Sequence, residues 1–151
     1  MTDADCVFCD IVAGEADALV VDETAETLAF SPLDPFAPGH VLVIPKAHHE
    51  SLFDVPADAL ATVTEHARTL ARRLRGGERG FDGANLFNDS TSYQSVPHLH
   101  LHVVGRRADD PDLFPETGYD GDREDAHDAV TAALEADGDR DASANERESV
   151  K

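Results

Sequence analysis

The amino-acid sequence predicts an α+β fold: an antiparallel sheet of about five strands with one long helix packed on it, then a short C-terminal helix and an acidic tail. Three observations carry this expectation. Short aliphatic runs recur between clusters of Pro, Gly and Asp, the pattern of strands joined by hairpins. One stretch, Pro56 to Arg75, has the apolar spacing of a long amphipathic helix. No regular alternation of strands with helices calls for the crossovers of a parallel sheet.

Taken in order, "CVFCDIVAG" (Cys6 to Gly14) reads as a short helical turn ended by Gly14, with Phe8 and Ile11 three apart on one side. "ALVVDETAETLAFSPLDP" reads as a hairpin, two apolar runs around an acidic turn, closed by Pro32 and Pro35. The run from His40 to Ile44, bounded by Gly39 and Pro45, is β-branched and predicts a central strand. In the long helix, Leu60, Val63, Ala67, Leu70, Ala71 and Leu74 form the apolar stripe. Asp54 and Asp58 stand toward its positive end, Arg72, Arg73 and Arg75 near the other, and Gly76-Gly77 stops it. "ANLFND" offers a strand and "DSTSYQS" a polar turn, leading into a last strand over "VPHLHLHVVG", Val96 to Gly105. Beyond Arg106 the composition shifts to Asp, Glu and Gly, with a short helix expected over Arg123 to Ala136 and a disordered tail from Asp137 to Lys151. The helix covers one face of the sheet, so the histidines of the last strand face the other way.

The chain of 151 residues fits one domain, residues 1–136, followed by the tail, 137–151. Its net charge of -19 argues against nucleic acid and against an anionic membrane surface as partners. An acid excess with so few lysines is what halophilic proteins show, tolerable where salt screens self-repulsion over roughly 3 Å at 1 M; the alternative is simply an acidic soluble protein with an acidic tail. There is no run of the ~20 apolar residues that a membrane span needs, and "MTDADCVFCD" has neither a basic nor an apolar leader segment, so a cytoplasmic location is expected. Cys6 and Cys9 are too close in sequence to staple a fold.

In "HLHLH" the histidines His98, His100 and His102 alternate with Leu99 and Leu101. Successive side chains of a strand point to opposite faces at about 3.3 Å per residue, so the three imidazoles share a face with the outer two on the order of 13 Å apart. One zinc ion, which binds imidazole nitrogen at roughly 2.0–2.1 Å, can take one or two neighbours but not all three. The row must divide its labour. A single His is most simply a satisfied strand residue; three on one face incur a desolvation cost that a merely structural face has no reason to bear. Cys6-x-x-Cys9 gains weight from histidines able to complete a tetrahedral set: His48 or His49, and His98. Such a set is closed, which makes the metal structural, and a redox role would need a βαβ context that is missing.

"HLHLHVV", preceded by Gln94-Ser95-Val96 and by "PGHVLVIPK", closely resembles the histidine triad (HIT) family of nucleotide hydrolases and transferases. "DCVFCDIVAGE" looks like its Hint-like branch, in the variants that carry zinc. The resemblance covers roughly Cys6 to Arg107. It implies a nucleotide-binding domain in which His100 is the nucleophile that attacks the α-phosphorus, giving a nucleotidyl-histidine that water then cleaves. It makes His102 the residue that holds phosphate oxygens, His40 the support beside it, and Gln94 and Ser95 contacts to the bridging or leaving-group oxygen. Phe8, Ile11, Phe30 and Leu33 match the apolar slot for the base, and the nucleotide site extends to Asp34, Asn88 and Val96. Cys6, Cys9, His48 and His98 match the ligands of a structural Zn2+, His48 falling on the family's P-K-x-H spacing.

The resemblance also implies a purine-nucleotide (AMP-type) substrate and a homodimer. Departures fall at Pro32, where relatives carry an acid or amide for the ribose, and at Tyr93, in a loop one residue short. Two rival readings are a non-catalytic nucleotide sensor or interaction module, and a zinc-dependent hydrolase with both His98 and His100 on the metal. His66 and His127 are expected as surface residues, and Arg106-Arg107 as a solvated strand end.

Overall fold

A computed structural model of the chain describes residues 5–76, 78–114 and 118–140. They fall into two compact units, Met1–Leu113 and Phe114–Lys151. In the first, helix α1 (Val7–Val12) precedes β1 (Leu19–Glu23), β2 (Thr27–Ser31) and β3 (Gly39–Pro45); α2 (Ala57–Leu74) leads to β4 (Gly83–Phe87) and β5 (Leu101–Arg106). The five strands form one sheet in the order β1-β2-β3-β5-β4, antiparallel throughout. The expected α+β class and antiparallel sheet are what the structure contains.

Strand periodicity assigns the two faces. Ala29, Val41, Val43, Leu99, Leu101 and Val103 pack with Val63, Ala67 and Leu70 of α2. The other face gathers Leu28, Phe30, Leu42 and Ile44 with Cys6 and Phe8 of the α1 segment. Each fully buried aliphatic contributes roughly 1.5–3 kcal/mol. The stripe read on α2 is the face that is buried, with Leu60, Ala71 and Leu74 at its margins. Histidines 98, 100 and 102 lie on the opposite side from α2, as their alternation with Leu99, Leu101 and Val103 requires.

Two expectations need correction. The last strand does not run from Val96: its ladder starts at Leu101, because Pro97 has no N–H and the Leu99 N–H donates to the His49 carbonyl in the loop after β3 (2.7 Å). His98 and His100 therefore sit on extended backbone just ahead of β5. His66 is also not a surface residue; it is 6% exposed, hydrogen-bonded through Nδ1 to the Thr27 hydroxyl (2.7 Å) and through Nε2 to Asp22 (2.8 Å). That network ties the β1–β2 hairpin to α2.

Glycine is required where β3 begins. Gly39 pairs with Gly105, and a Cβ at position 39 would lie 2.6 Å from the Gly105 oxygen and 2.8 Å from the Phe81 ring. The close approach sets the register that places His40 beside His102.

The second unit contains α3 (Arg123–Arg140), which carries the expected helix four residues past Ala136, with His127 exposed. Of the expected tail, residues 141–151 lie outside those described, as does Gly77. Among the described residues no helix is long and apolar enough to cross a membrane.

Candidate functional site

Four potential metal ligands converge at the start of the chain. Cys6, at the N-cap of α1, and Cys9 one turn on bring their sulfurs to His48 and His98, and the four ligand atoms lie within 4.8 Å of one another. Cys9 Sγ is 3.2 Å from His48 Nδ1 and 3.5 Å from His98 Nδ1; Cys6 Sγ is 3.3 Å from His98 Nδ1. With Zn–S near 2.3 Å and Zn–N near 2.0–2.1 Å, a tetrahedral sulfur–nitrogen edge comes to about 3.6 Å, so the spacing suits zinc. His98 Nε2–H donates to the Pro45 carbonyl (2.8 Å), which leaves the Nδ1 lone pair for a metal. Cys6 and His98 are fully buried, Cys9 and His48 half-buried. His100 is not in this cluster, which separates it from the metal reading of the histidine row.

His100 is anchored differently. Its Nδ1–H donates to the His98 carbonyl (2.8 Å), leaving Nε2 as the lone-pair nitrogen, and the Asn88 amide donates to the His100 carbonyl (2.9 Å). The ring is only 2% exposed, yet it lines a cavity of about 720 Å³ with His40 and His102. That volume is of small-molecule size. Val7, Phe8 and Ile11 from α1, Leu19 from β1 and Phe30 from β2 give the cavity an apolar wall; Asp17, Ser31 to Asp34, Phe36, Ser95 and Val96 also line it.

A directed relay fixes the neighbouring rings. The Phe36 N–H donates to His40 Nδ1 (2.9 Å), so His40 must carry its proton on Nε2 and donate it to His102 Nδ1 (2.9 Å). His102 is thereby left with an Nε2–H donor, 4.0 Å from the Asp89 carboxylate. Phe36 stacks on His40 (centroids 4.6 Å apart) and Phe87 on His102 (4.4 Å), holding both rings in plane. One ring with a lone pair beside one with a fixed donor is an arrangement that can attack and hold a tetrahedral oxyacid centre.

Comparison with known proteins places this geometry. The HIT domain model matches residues 13–109. The chain belongs to the HIT family. An uncharacterised HIT-like protein of Methanocaldococcus jannaschii is 36% identical over 110 residues, covering 72% of this chain and 84% of that protein. An adenosine 5'-monophosphoramidase of Candida albicans is 33% identical over 109 residues, 69% of this chain and 72% of the enzyme. Among solved structures, a zinc-bound histidine triad protein of Mycobacterium smegmatis superposes with a TM-score of 0.69 at 35% identity, covering 89% of this chain and 99% of its own.

Within this HIT protein the structure brings most of the expected site residues together. Phe8, Ile11, Phe30, Leu33, Asp34, His40, Ser95, Val96, His100 and His102 all line the one cavity. Gln94 and Asn88 do not. Both side-chain ends of Gln94 are taken up by backbone: Oε1 accepts from the Thr91 N–H (2.7 Å), and Nε2 donates to the carbonyls of Glu50, after β3, and of Val96 (2.8 and 2.6 Å). That loop holds Thr91 at φ 63, a strained value for a β-branched residue, and the Gln94 amide helps to fix it. Asn88 acts on the His100 backbone rather than facing the cavity. Sequence reasoning missed Phe36, Phe87 and Asp89. An aromatic between two prolines in "DPFAP" was the available sign for Phe36.

Burial pushes His40 and His102 down to about 4, with nearby His100 acting in the same direction on both; burial also lowers His100. An ordinary imidazole, with pKa about 6.5, is mostly protonated at pH 5.5. His40 and His102 should instead remain neutral at that pH, which ring NMR titration would report; titration of either near 6.5 would contradict the relay.

Proposed function

We propose that this HIT protein hydrolyses AMP-type conjugates through a nucleotidyl-histidine on His100. The observation that carries this reading is His100 itself: a buried ring whose Nδ1–H is engaged, whose lone pair is therefore on Nε2, and which lines the cavity. His100 Nε2 forms the bond to the α-phosphorus as the bond to the leaving group breaks, and the leaving group departs with a proton taken from solvent water. Water then displaces the imidazole and releases the nucleoside monophosphate. His102 Nε2–H holds a phosphate oxygen, with His40 fixing that proton's position, and Ser95 faces the phosphate end. The apolar wall of Phe8, Ile11 and Phe30 takes the base. Cys6, Cys9, His48 and His98 hold Zn2+, which would supply a structural cross-link between α1 and the sheet.

The charge around the cavity narrows the substrate. Asp17 and Asp34 line it and Asp89 stands beside His102, while among the described residues no Lys or Arg does. A polyphosphate leaving group would meet uncompensated carboxylates, whereas an amine would meet a matching field. AMP joined to an amine should therefore be cleaved with a kcat/KM at least about tenfold above that for a diadenosine polyphosphate, a difference of about 1.4 kcal/mol. A preference for the polyphosphate would contradict this. AMP binding without turnover of either would favour a nucleotide sensor.

A further inference from the structure

Helix α1 has two working sides. Cys6 and Cys9 point one way into the Cys₂His₂ cluster, while Val7, Phe8 and Ile11 line the cavity. The two sides meet at Phe8, a ring only 7% exposed. It lies edge-on to His98, a residue of the cluster (centroids 5.9 Å), to His100 in the cavity (5.3 Å) and to Phe30 of the apolar wall (5.3 Å). His98 joins the sites a second time, since its ring belongs to the cluster and its carbonyl accepts from His100 Nδ1.

A helix of six residues is too short to be stable alone and takes its order from what holds it. Apolar packing of Phe8 on the sheet supplies part of that hold, and two ligands can add to it: the metal, through the cysteines, and an occupant of the cavity, through Phe8 and Ile11. Whichever binds first bears the cost of ordering α1, and the second then binds a segment already in place. Linkage makes the effect reciprocal.

We propose that Phe8 is a positioning residue through which the Cys₂His₂ centre and the cavity are coupled, so that zinc and an adenine nucleotide each tighten the other's binding. The proposal rests on the reading of the cavity as a nucleotide site. It assigns Phe8 a part beyond contact with the base.

The test uses the zinc-loaded full chain and follows zinc release to a chromophoric chelator, with AMP as the probe, so it does not depend on turnover. Saturating AMP should slow release about fivefold or more, the lower end of ordinary coupling between sites. Phe8→Ala should bring the rates with and without AMP to within about twofold of each other. Phe8→Leu, which keeps much of the bulk, should restore most of the difference. Val63→Ala, a core truncation on the far face of the sheet, should lower stability yet keep the full AMP effect. If AMP binds the zinc-loaded protein by calorimetry but leaves zinc release unchanged, the coupling is wrong and the nucleotide reading stands. If Phe8→Ala retains the full effect, Phe8 is not the coupling residue. If AMP does not bind the zinc-loaded protein at all, the functional reading fails and this proposal with it.

Discussion

Replacing His100 with asparagine should lower kcat/KM for an AMP–amine conjugate by at least about 10⁴-fold while leaving AMP affinity within a few-fold, because loss of a nucleophile removes the reaction path and not the cavity. Asparagine retains a donor for the His98 carbonyl, so the backbone arrangement beneath the ring should survive. The pH dependence of the parent enzyme follows from the same ring. In the proposed reaction His100 attacks as the neutral imidazole, and burial lowers its pKa below the ordinary 6.5. The neutral form therefore persists as pH falls through 6.5, and the acid limb of kcat/KM should lie below that value. Activity surviving the substitution, or an acid limb above 6.5, would remove His100 from the role given to it.

Substitution of Cys9 by serine should produce the largest loss of stability. The α1 segment is held to the sheet by the cluster and by the packing of Phe8, and a structural zinc site contributes its binding energy directly to folding. A loss of several kcal/mol in a domain of this size corresponds to a fall in Tm on the order of 10–20 °C. Chelation of the parent protein should lower Tm comparably, and the serine variant should respond little to chelator or added zinc. Equal melting of parent and variant, with and without chelator, would show that the four residues hold no metal of consequence.

How much of this was legible in the sequence depends on how local each cause is. The stripe of α2 and the alternation of His98 to His102 against Leu99 to Val103 were readable because periodicity sets which way a side chain points. The start of β5 was not, because it depends on the Leu99 N–H finding the His49 carbonyl fifty residues back in the chain. His66 is instructive for another reason. It stands three residues after Val63 and four before Leu70, inside the apolar stripe, yet its polarity suggested the surface. The partners that make its burial tolerable, Thr27 on β2 and Asp22 on β1, lie on other elements.

The same limit applies at the site. Resemblance brought together the residues that line the cavity and those of the metal cluster, but the direction of the His40–His102 relay follows from the Phe36 N–H, a backbone group that no side-chain pattern encodes. Gln94 illustrates the reverse. Its position in the motif suggested contact with substrate, and its amide is engaged by the backbone of its own loop around the strained Thr91 and by the Glu50 carbonyl after β3. Phe36 and Phe87 carry no sequence signal for their stacking on His40 and His102, which arises only when the loop before β3 and the end of β4 meet over the imidazoles.

Covalent transfer of the nucleotide to His100 can be caught by quenching the protein during turnover of an AMP–amine conjugate and sequencing its peptides by mass spectrometry under conditions that preserve phosphorus–nitrogen bonds. One adenylyl group is expected on the peptide spanning His98 to His102, localised to His100 and absent from the His100→Asn protein. Turnover with no adduct at any histidine, or with the group on His98 or His102, would contradict it.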